Sequence, residues 1–381
     1  MSHTATIAPA AEPARRILTE LEHPRQVFAN ITPNWFASIM GTGIVANAAA
    51  ALPLQFPGLR AGATIVWGLA SILLIALTAA TIAHWVASRE RAKSHHLNPV
   101  MAHFYGAPPM ALLTVGAGTI LLGKDVLGLP LAVEIDFVLW SAGTILGLVS
   151  AVAVPYLTFT RHGLKADAAF GGWLMPIVPP MVSAATGAFL VPFVPAGQLR
   201  LTMLFGCYAM FGLSLVASLI VITLLWSRLA QQKVGASGMV PTLWIVLGPL
   251  GQSITAVNLL GGVSHLAVGA SLARALGYFG IIYGIPVLGF AILWGALAIA
   301  ITIRTAREKL PFSLTWWSFT FPVGTCVTGV TGLALHTGST VLAALAVILY
   351  MGLVAAWIIV AIRTFHGSFI RGTLFLLPAA N

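Results

Sequence analysis

A chain of 381 residues that is 59% hydrophobic and 7% charged, with a mean hydropathy of +0.96, falls outside the soluble globular class, where roughly a quarter of residues carry charge. Its net charge of +10 is scattered over short polar stretches and forms no basic stripe, which excludes nucleic acid as a partner. Two distant cysteines, Cys207 and Cys326, both in apolar runs, allow neither a disulfide framework nor a metal cluster.

Residues 1–30 hold Arg15, Arg16 and Arg25 among Pro, Ala and Glu and lack the apolar core of a cleaved signal, so they read as a polar tail. Ten apolar stretches of about 20 residues follow, each the length of a membrane-spanning helix. They cover roughly 34–52, 62–85, 100–122, 137–158, 173–193, 200–227, 241–262, 276–303, 314–335 and 339–363. The expected fold is an all-α polytopic membrane protein: a ten-helix domain over 31–365, then a C-terminal tail over 366–381.

With a cytoplasmic N-terminus, 15 of the 19 Lys and Arg fall in inside segments, from Arg89, Arg91 and Lys93 to Arg161, Lys165, Arg363 and Arg371. Outside loops keep Arg60, Lys124, Arg200 and Arg274. The bias agrees with the positive-inside rule and with an even number of spans. The expected location is therefore the inner (plasma) membrane, with both termini cytoplasmic.

The odd-numbered stretches open on an aromatic: Trp35, Phe104, Trp173, Trp244 and Trp317, spaced 69, 69, 71 and 73 residues apart. A period near 70 residues is one helical hairpin, so the chain reads as five hairpins in series. An aromatic belt at the membrane interface is the plainer account of the aromatics alone. The prolines add to the repeat. Odd stretches hold Pro108, Pro109, Pro176, Pro179, Pro180, Pro249 and Pro322; even ones hold Pro155 and Pro286. Proline bends a helix and frees a carbonyl that protein or water has to satisfy. The odd helices also carry most of the hydroxyls and amides, whereas stretches such as 200–227 are almost uniformly apolar. These facts predict an inner ring of five kinked odd helices around a pore, kinked at Pro108, Pro109, Pro179, Pro180, Pro249 and Pro322, within an outer ring of five even helices.

The spans contain essentially no carboxylate, with Asp136 at the edge of the fourth, which disfavours a cation path or a carboxylate-driven pump. Hydroxyls, amides and glycine backbone N–H groups are donors suited to an anion. The bulky Phe321 beside Pro322 is either lipid-facing packing or a plug across a passage.

Three motifs then carry a family resemblance: Pro33-Asn34-Trp35-Phe36 with Met40-Gly41-Thr42-Gly43, Gly248-Pro249-Leu250-Gly251-Gln252, and Trp316-Trp317-Ser318-Phe319-Thr320-Phe321-Pro322. Together they resemble the tellurite-resistance and dicarboxylate transporter family, which includes bacterial TehA, plant guard-cell slow anion channels, malate permeases and fungal sulfite exporters. The likeness covers about 31–365, and the second motif looks most like the sulfite exporters. It implies a homotrimer with one pore per subunit, no cofactor, and a ninth-helix phenylalanine, here Phe321, that occludes the pore. Many relatives have His-Pro where this chain has Asn98-Pro99, so a proton-sensing histidine does not carry over.

The expected function is a gated channel or uniporter for small anions, from sulfite, chloride or nitrate to C4-dicarboxylates such as malate and, by the family's name, tellurite. Gly41, Thr42, Gly43, Gln252, Ser253, Thr320 and Thr325 are the expected pore-lining and anion-binding residues, with the two glycines also suited to close helix packing. The alternative within transport is a proton-coupled carrier. An intramembrane enzyme would need a His-Glu-x-x-His, paired aspartates or a Gly-x-Ser-x-Gly, none of which occurs.

Overall fold

The computed structural model describes residues 17–21, 23, 27–164 and 167–376, and among these no strand occurs. Arg15, Arg16, Arg25 and Lys165 of the charge argument, with most of residues 1–30 and 377–381, lie outside the described residues. In chain order the helices are α1 (Phe36–Ala51), α2 (Leu59–Ala87), α3 (Arg89–Leu97), α4 (Ala107–Gly118), α5 (Lys124–Leu127), α6 (Leu129–Thr160), α7 (Pro179–Leu190), α8 (Gln198–Gln232), α9 (Leu247–Val263), α10 (Ala270–Glu308), α11 (Phe321–Thr337) and α12 (Thr340–Phe365).

Eight spans among the described residues are long and apolar enough to cross a membrane. The first and fifth of the ten expected stretches give shorter helices, α1 and α7. Proline is the reason in both. Pro33 holds the approach to α1 as a 3₁₀ turn, and α1 ends at Ala51, because the next residue, Leu52, precedes Pro53 and is turned out of the helical region (ψ 138°). α7 starts only at Pro179 and passes at Val191–Phe193 into a 3₁₀ turn that contains Pro192.

Two concentric layers form. α1 packs on α4, α4 on α7, α7 on α9, α9 on α11, and α11 returns to α1, closing a ring. α2, α6, α8, α10 and α12 each pack outside the inner helix that precedes them. Burial separates the layers cleanly. The spans containing α4, α9 and α11 are 67–89% buried, against 11–28% for the five outer helices. Exposed Ile, Leu, Val and Phe cover the outer helices, as a lipid-facing wall requires.

Aromatic N–H groups tie the layers together. Trp67 of α2 donates to the Val115 carbonyl of α4 (3.3 Å), and Trp140 of α6 donates to the Ser183 carbonyl of α7 (2.9 Å). Trp357 of α12 donates to the Thr42 hydroxyl of α1 (3.1 Å), so the last outer helix clasps the first inner one. Ser150 of α6 donates to the Pro176 carbonyl (3.1 Å), in the proline-rich approach to α7.

The terminal segments are not free tails where they are described. The amides of Leu18, Thr19 and Glu20 donate to the carbonyls of Phe369, Ile370 and Arg371, and Phe375 stacks on Trp35 with ring centroids 5.1 Å apart. The helical backbone runs past residue 365 through a π-helical turn at His366–Arg371, because Phe369 and Ile370 continue the apolar pattern.

Asp136 corrects the expected fourth span. Glu134 and Asp136 break the apolar run, which set the expected start at 137, but the helix begins at Leu129, after Gly128 (φ 82°) and with Pro130 in its first turn. A carboxyl group therefore lies about two turns inside α6. It is fully buried, both of its oxygens lack a partner, and it packs against Gly116 of α4.

Candidate functional site

Each inner helix is entered the same way. A 3₁₀ segment precedes the α-helix in all five: Pro33–Trp35, Met101–Gly106, Gly171–Leu174, Ser237–Val246 and Leu314–Phe319. The prolines expected to kink the helices sit just after these segments. Pro108 and Pro109 lie in the first turn of α4, Pro179 and Pro180 open α7, Pro249 is third in α9, and Pro322 is second in α11. A first-turn proline forfeits no helical hydrogen bond, since its missing N–H would have had no partner there. The bend expected inside a continuous helix is thus a change from 3₁₀ to α winding.

These junctions surround one small cavity. Met40 of α1, Phe104 before α4 and Met110 within it, Val178 before α7, Gly248 of α9 and Phe321 of α11 all line it, so every inner helix or its approach contributes. Its volume is about 20 Å³, room for about one water. Its lining comes from the first turns of the inner helices or the residues just before them, so five α-helix N-termini, each carrying partial positive charge, begin around this point. Phe321 is the first residue of α11, only 3% exposed, with Thr320 as its N-cap. Of the two readings of Phe321, the lipid-facing one is excluded by its position.

The other expected site residues divide. Gly41 lies where a Cβ would overlap the Thr320 hydroxyl and stand 2.6 Å from Trp317, so it lets α1 approach the segment that carries Phe321. Gly43 faces Thr114 of α4, and Thr42 turns outward to Trp357. Thr320 donates to the Trp317 carbonyl (2.7 Å). Ser253 donates to the Leu250 carbonyl and accepts from the Tyr283 hydroxyl of α10 (2.8 Å). Thr325 donates to the Pro322 carbonyl of its own helix (2.7 Å), and its hydroxyl lies 3.3 and 3.2 Å from the Leu247 and Gly248 carbonyls, at the contact of α11 with α9. None of these six lines the cavity.

Gln252 differs from them. It is 4% exposed, yet its amide makes no hydrogen bond to another described residue. It follows Gly248 by one helical turn and so shares the cavity-facing side of α9. An amide of this kind costs about 1–3 kcal/mol if left without a partner, so the site has a donor to spare.

Phe104, Met40, Met110 and Met175 are lining residues that the sequence reading passed over. Phe104 was visible as the second aromatic of the repeat. The methionines carry no such signal, because a Met in a membrane span usually signifies packing. His103 is a packing residue, stacked on Trp173 at 5.9 Å and set edge-on to Phe170. Among the described residues no group of three or more His, Cys, Asp or Glu is placed to hold a metal, and Cys207 and Cys326 are both buried and unpaired.

Comparison with known proteins agrees with this architecture. Residues 30–365 match the family described as voltage-dependent anion channel. The chain is 28% identical to a sulfite efflux pump of Arthroderma otae, over 89% of this chain and 91% of that protein. It is 27% identical to an uncharacterized transporter of Methanocaldococcus jannaschii, over 82% and 86% of the two chains. A malic acid transport protein of Schizosaccharomyces pombe is 23% identical over 78% of this chain and 69% of its own length. A family match over most of the chain and a ring of five helices inside a lipid-facing outer layer lead to one conclusion: the chain belongs to the voltage-dependent anion channel family, as a multi-pass membrane transporter or channel for anions and not an enzyme.

Proposed function

We propose that the chain is a gated channel or uniporter whose path runs along the axis of the inner ring and is stopped by Phe321. The observation that carries this reading is the cavity into which all five inner helices bring their 3₁₀-to-α junctions, with the Phe321 ring in its wall and space for about one water. A hydrated ion does not pass such a constriction, and rotation of one benzyl group about χ1 opens it. Five converging helix N-termini favour an anion there, and no fixed cation lines the cavity to trap it. The Gln252 amide, one turn farther along α9, is the donor that a passing anion meets.

Small oxyanions and carboxylates are the substrate class, with sulfite and C4-dicarboxylates such as malate foremost, because relatives of both kinds align over most of the chain. Chloride, nitrate and tellurite belong to the same range of small anions. The functional unit is a homotrimer with one path per subunit, in the inner (plasma) membrane with both termini cytoplasmic. Residues 31–365 form the transport domain.

The test is anion flux in proteoliposomes with chloride, sulfite and malate. Phe321→Ala raises conductance, and Gln252→Leu alters the ranking of the three anions without abolishing flux. Wild-type flux from a correctly folded Phe321→Ala protein removes the gate.

A second reading, proton-coupled transport, is favoured by Asp136, a fully buried carboxyl without a partner against an inner helix. A reversal potential that follows the pH gradient in the wild type, and stops following it in Asp136→Asn, selects the carrier; one set by the anion gradient alone selects the channel.

A further inference from the structure

A second recess lies away from the axis, in the outer layer. It is a groove of about 580 Å³ between the outer helices α10 and α12, within the roughly 300–1,000 Å³ range of ligand sites. Ala291 and Gly295 of α10 face Gly352 and Ala356 of α12, and the missing side-chain volume opens the groove. Its floor includes Phe319 and Val323, on either side of Phe321 in sequence. The interior offers almost nothing polar. The one hydroxyl in the lining, from Thr302, is taken up by the Trp244 N–H at 2.9 Å.

A cation stands at one end. Arg363 follows Ile359 of the lining by one turn of α12, and its guanidinium lies 4.9 Å from the centroid of the Trp316 ring and 5.9 Å from that of Phe312. Arg363 is exposed, and the two ion pairs formed among the described residues, Arg60 with Asp125 and Lys93 with Glu90, do not include it. Two aromatic faces thus fix the guanidinium plane and leave its N–H edge for an anion. Gly352 lies 11 residues back along α12, roughly 16 Å at 1.5 Å per residue. That is about the depth of one leaflet of a hydrocarbon core roughly 30 Å thick. A surface cation and an apolar trough of leaflet depth match the two ends of one molecule.

We propose that this groove binds a single anionic phospholipid, with an acyl chain lying along Gly352 and Ala356 and the phosphodiester held by Arg363 in a bidentate pair. A helix from a second copy would fill the trough but leave the guanidinium without a counter-charge, which is why lipid is the occupant. The proposal concerns binding and stands independently of the Phe321 gate.

The experiment is native mass spectrometry of the full chain released from nanodiscs of equal phosphatidylglycerol and phosphatidylcholine content. The wild type retains phosphatidylglycerol over phosphatidylcholine by about fivefold, the bias that one basic residue at a membrane surface confers. Arg363→Gln brings the two lipids to parity, and Arg363→Lys keeps part of the preference. Gly352→Leu, at a position where an added Cβ meets nothing within 4 Å, fills the trough without disturbing the fold and lowers retention of both lipids. An unchanged preference in Arg363→Gln, retention of neither lipid by the wild type, or a loss of oligomer in Gly352→Leu with lipid retention intact overturns the proposal; the last outcome assigns the groove to a second copy.

Discussion

Glycines of the inner and outer rings sit in equally apolar sequence and face opposite surroundings. A Cβ at Gly106 would overlap the Met175 carbonyl, one at Gly251 would overlap the Cys326 amide, and one at Gly324 would overlap Ile44. In the outer ring, Gly62, Gly68, Gly206, Gly212, Gly289 and Gly352 have nothing within 4 Å of the same added atom. α10 holds both kinds: Gly280 and Gly284 press on Asn258 and Leu333, while Gly277 and Gly289 look outward. Between helices in lipid there is little hydrophobic gain, so close backbone approach and hydrogen bonds carry the inner ring. Only the outward-facing glycines of the outer ring have no protein contact to lose.

Gly106→Ala is the strongest way to break that contrast. Its Cβ meets backbone, which cannot rotate away, so the cost is about 3 kcal/mol, the upper end of the usual overpacking range. The expected result is a large drop in thermal midpoint in detergent, together with a low yield of folded protein. An unchanged midpoint would show that the entries to α4 and α7 part easily and that the ring is loosely held.

How much of this was legible beforehand depends on which physical signal each feature leaves. The ring was legible, because Pro108, Pro179, Pro249 and Pro322 recur with the aromatics at a fixed period, and polar residues segregate into the same stretches. What the prolines do was not. A proline in the first turn and one in mid-helix read alike in sequence, and only the 3₁₀ lead-ins distinguish them. Phe321 stands out through its motif, and its place in the cavity wall fits that reading. Gly41, Thr42, Gly43 and Thr325 were candidates for the passage because they are polar or small. The same chemistry serves helix contact, and the direction of a side chain about a helix packed on all sides leaves no amphipathic trace. Asp136 was placed at a boundary because charge normally ends a span; a turn-forming Gly128 set the boundary earlier.

Acidification sharpens the comparison at the edge of the ring, outside the spans. Burial holds His95 of α3 down from 6.5 to about 4, and nearby His84, Arg91 and His96 push in the same direction. The folded state therefore binds this proton less readily than the unfolded chain does. Stability is full above pH 6.5, falls as the pH drops from 6.5 towards 4, and loses nothing further from this group below that. Thermal midpoints measured across that window are expected to fall, and His95→Gln is expected to flatten the slope. Equal slopes for the two proteins would assign the acid response to another group.

Next in size are the hydrogen bonds that join helices. Thr325→Val keeps the side-chain shape but removes a hydroxyl that donates to Pro322 at 2.7 Å and lies against the Leu247 and Gly248 carbonyls of α9, at a cost of about 1 kcal/mol. Trp357→Phe removes the single N–H that α12 gives to Thr42 and costs about 0.6 kcal/mol. Because the sites are on different seams, the double variant should show the sum. A larger loss in the double variant would mean that the α9–α11 seam and the α12–α1 clasp hold one cooperative unit.

Gly352→Ala gives the smallest effect and completes the contrast with Gly106→Ala. The added methyl enters the groove beside α12 and touches no protein atom, while the helix backbone gains the higher propensity of alanine. The midpoint should stay the same or rise by the equivalent of no more than about 1 kcal/mol. A fall would mean that something besides solvent lipid already occupies the space at Gly352, either a tightly held acyl chain or another subunit. Repeating the measurement after delipidation separates them, since a penalty that depends on bound lipid disappears once the lipid is removed, whereas one imposed by a neighbouring subunit persists as long as the oligomer does.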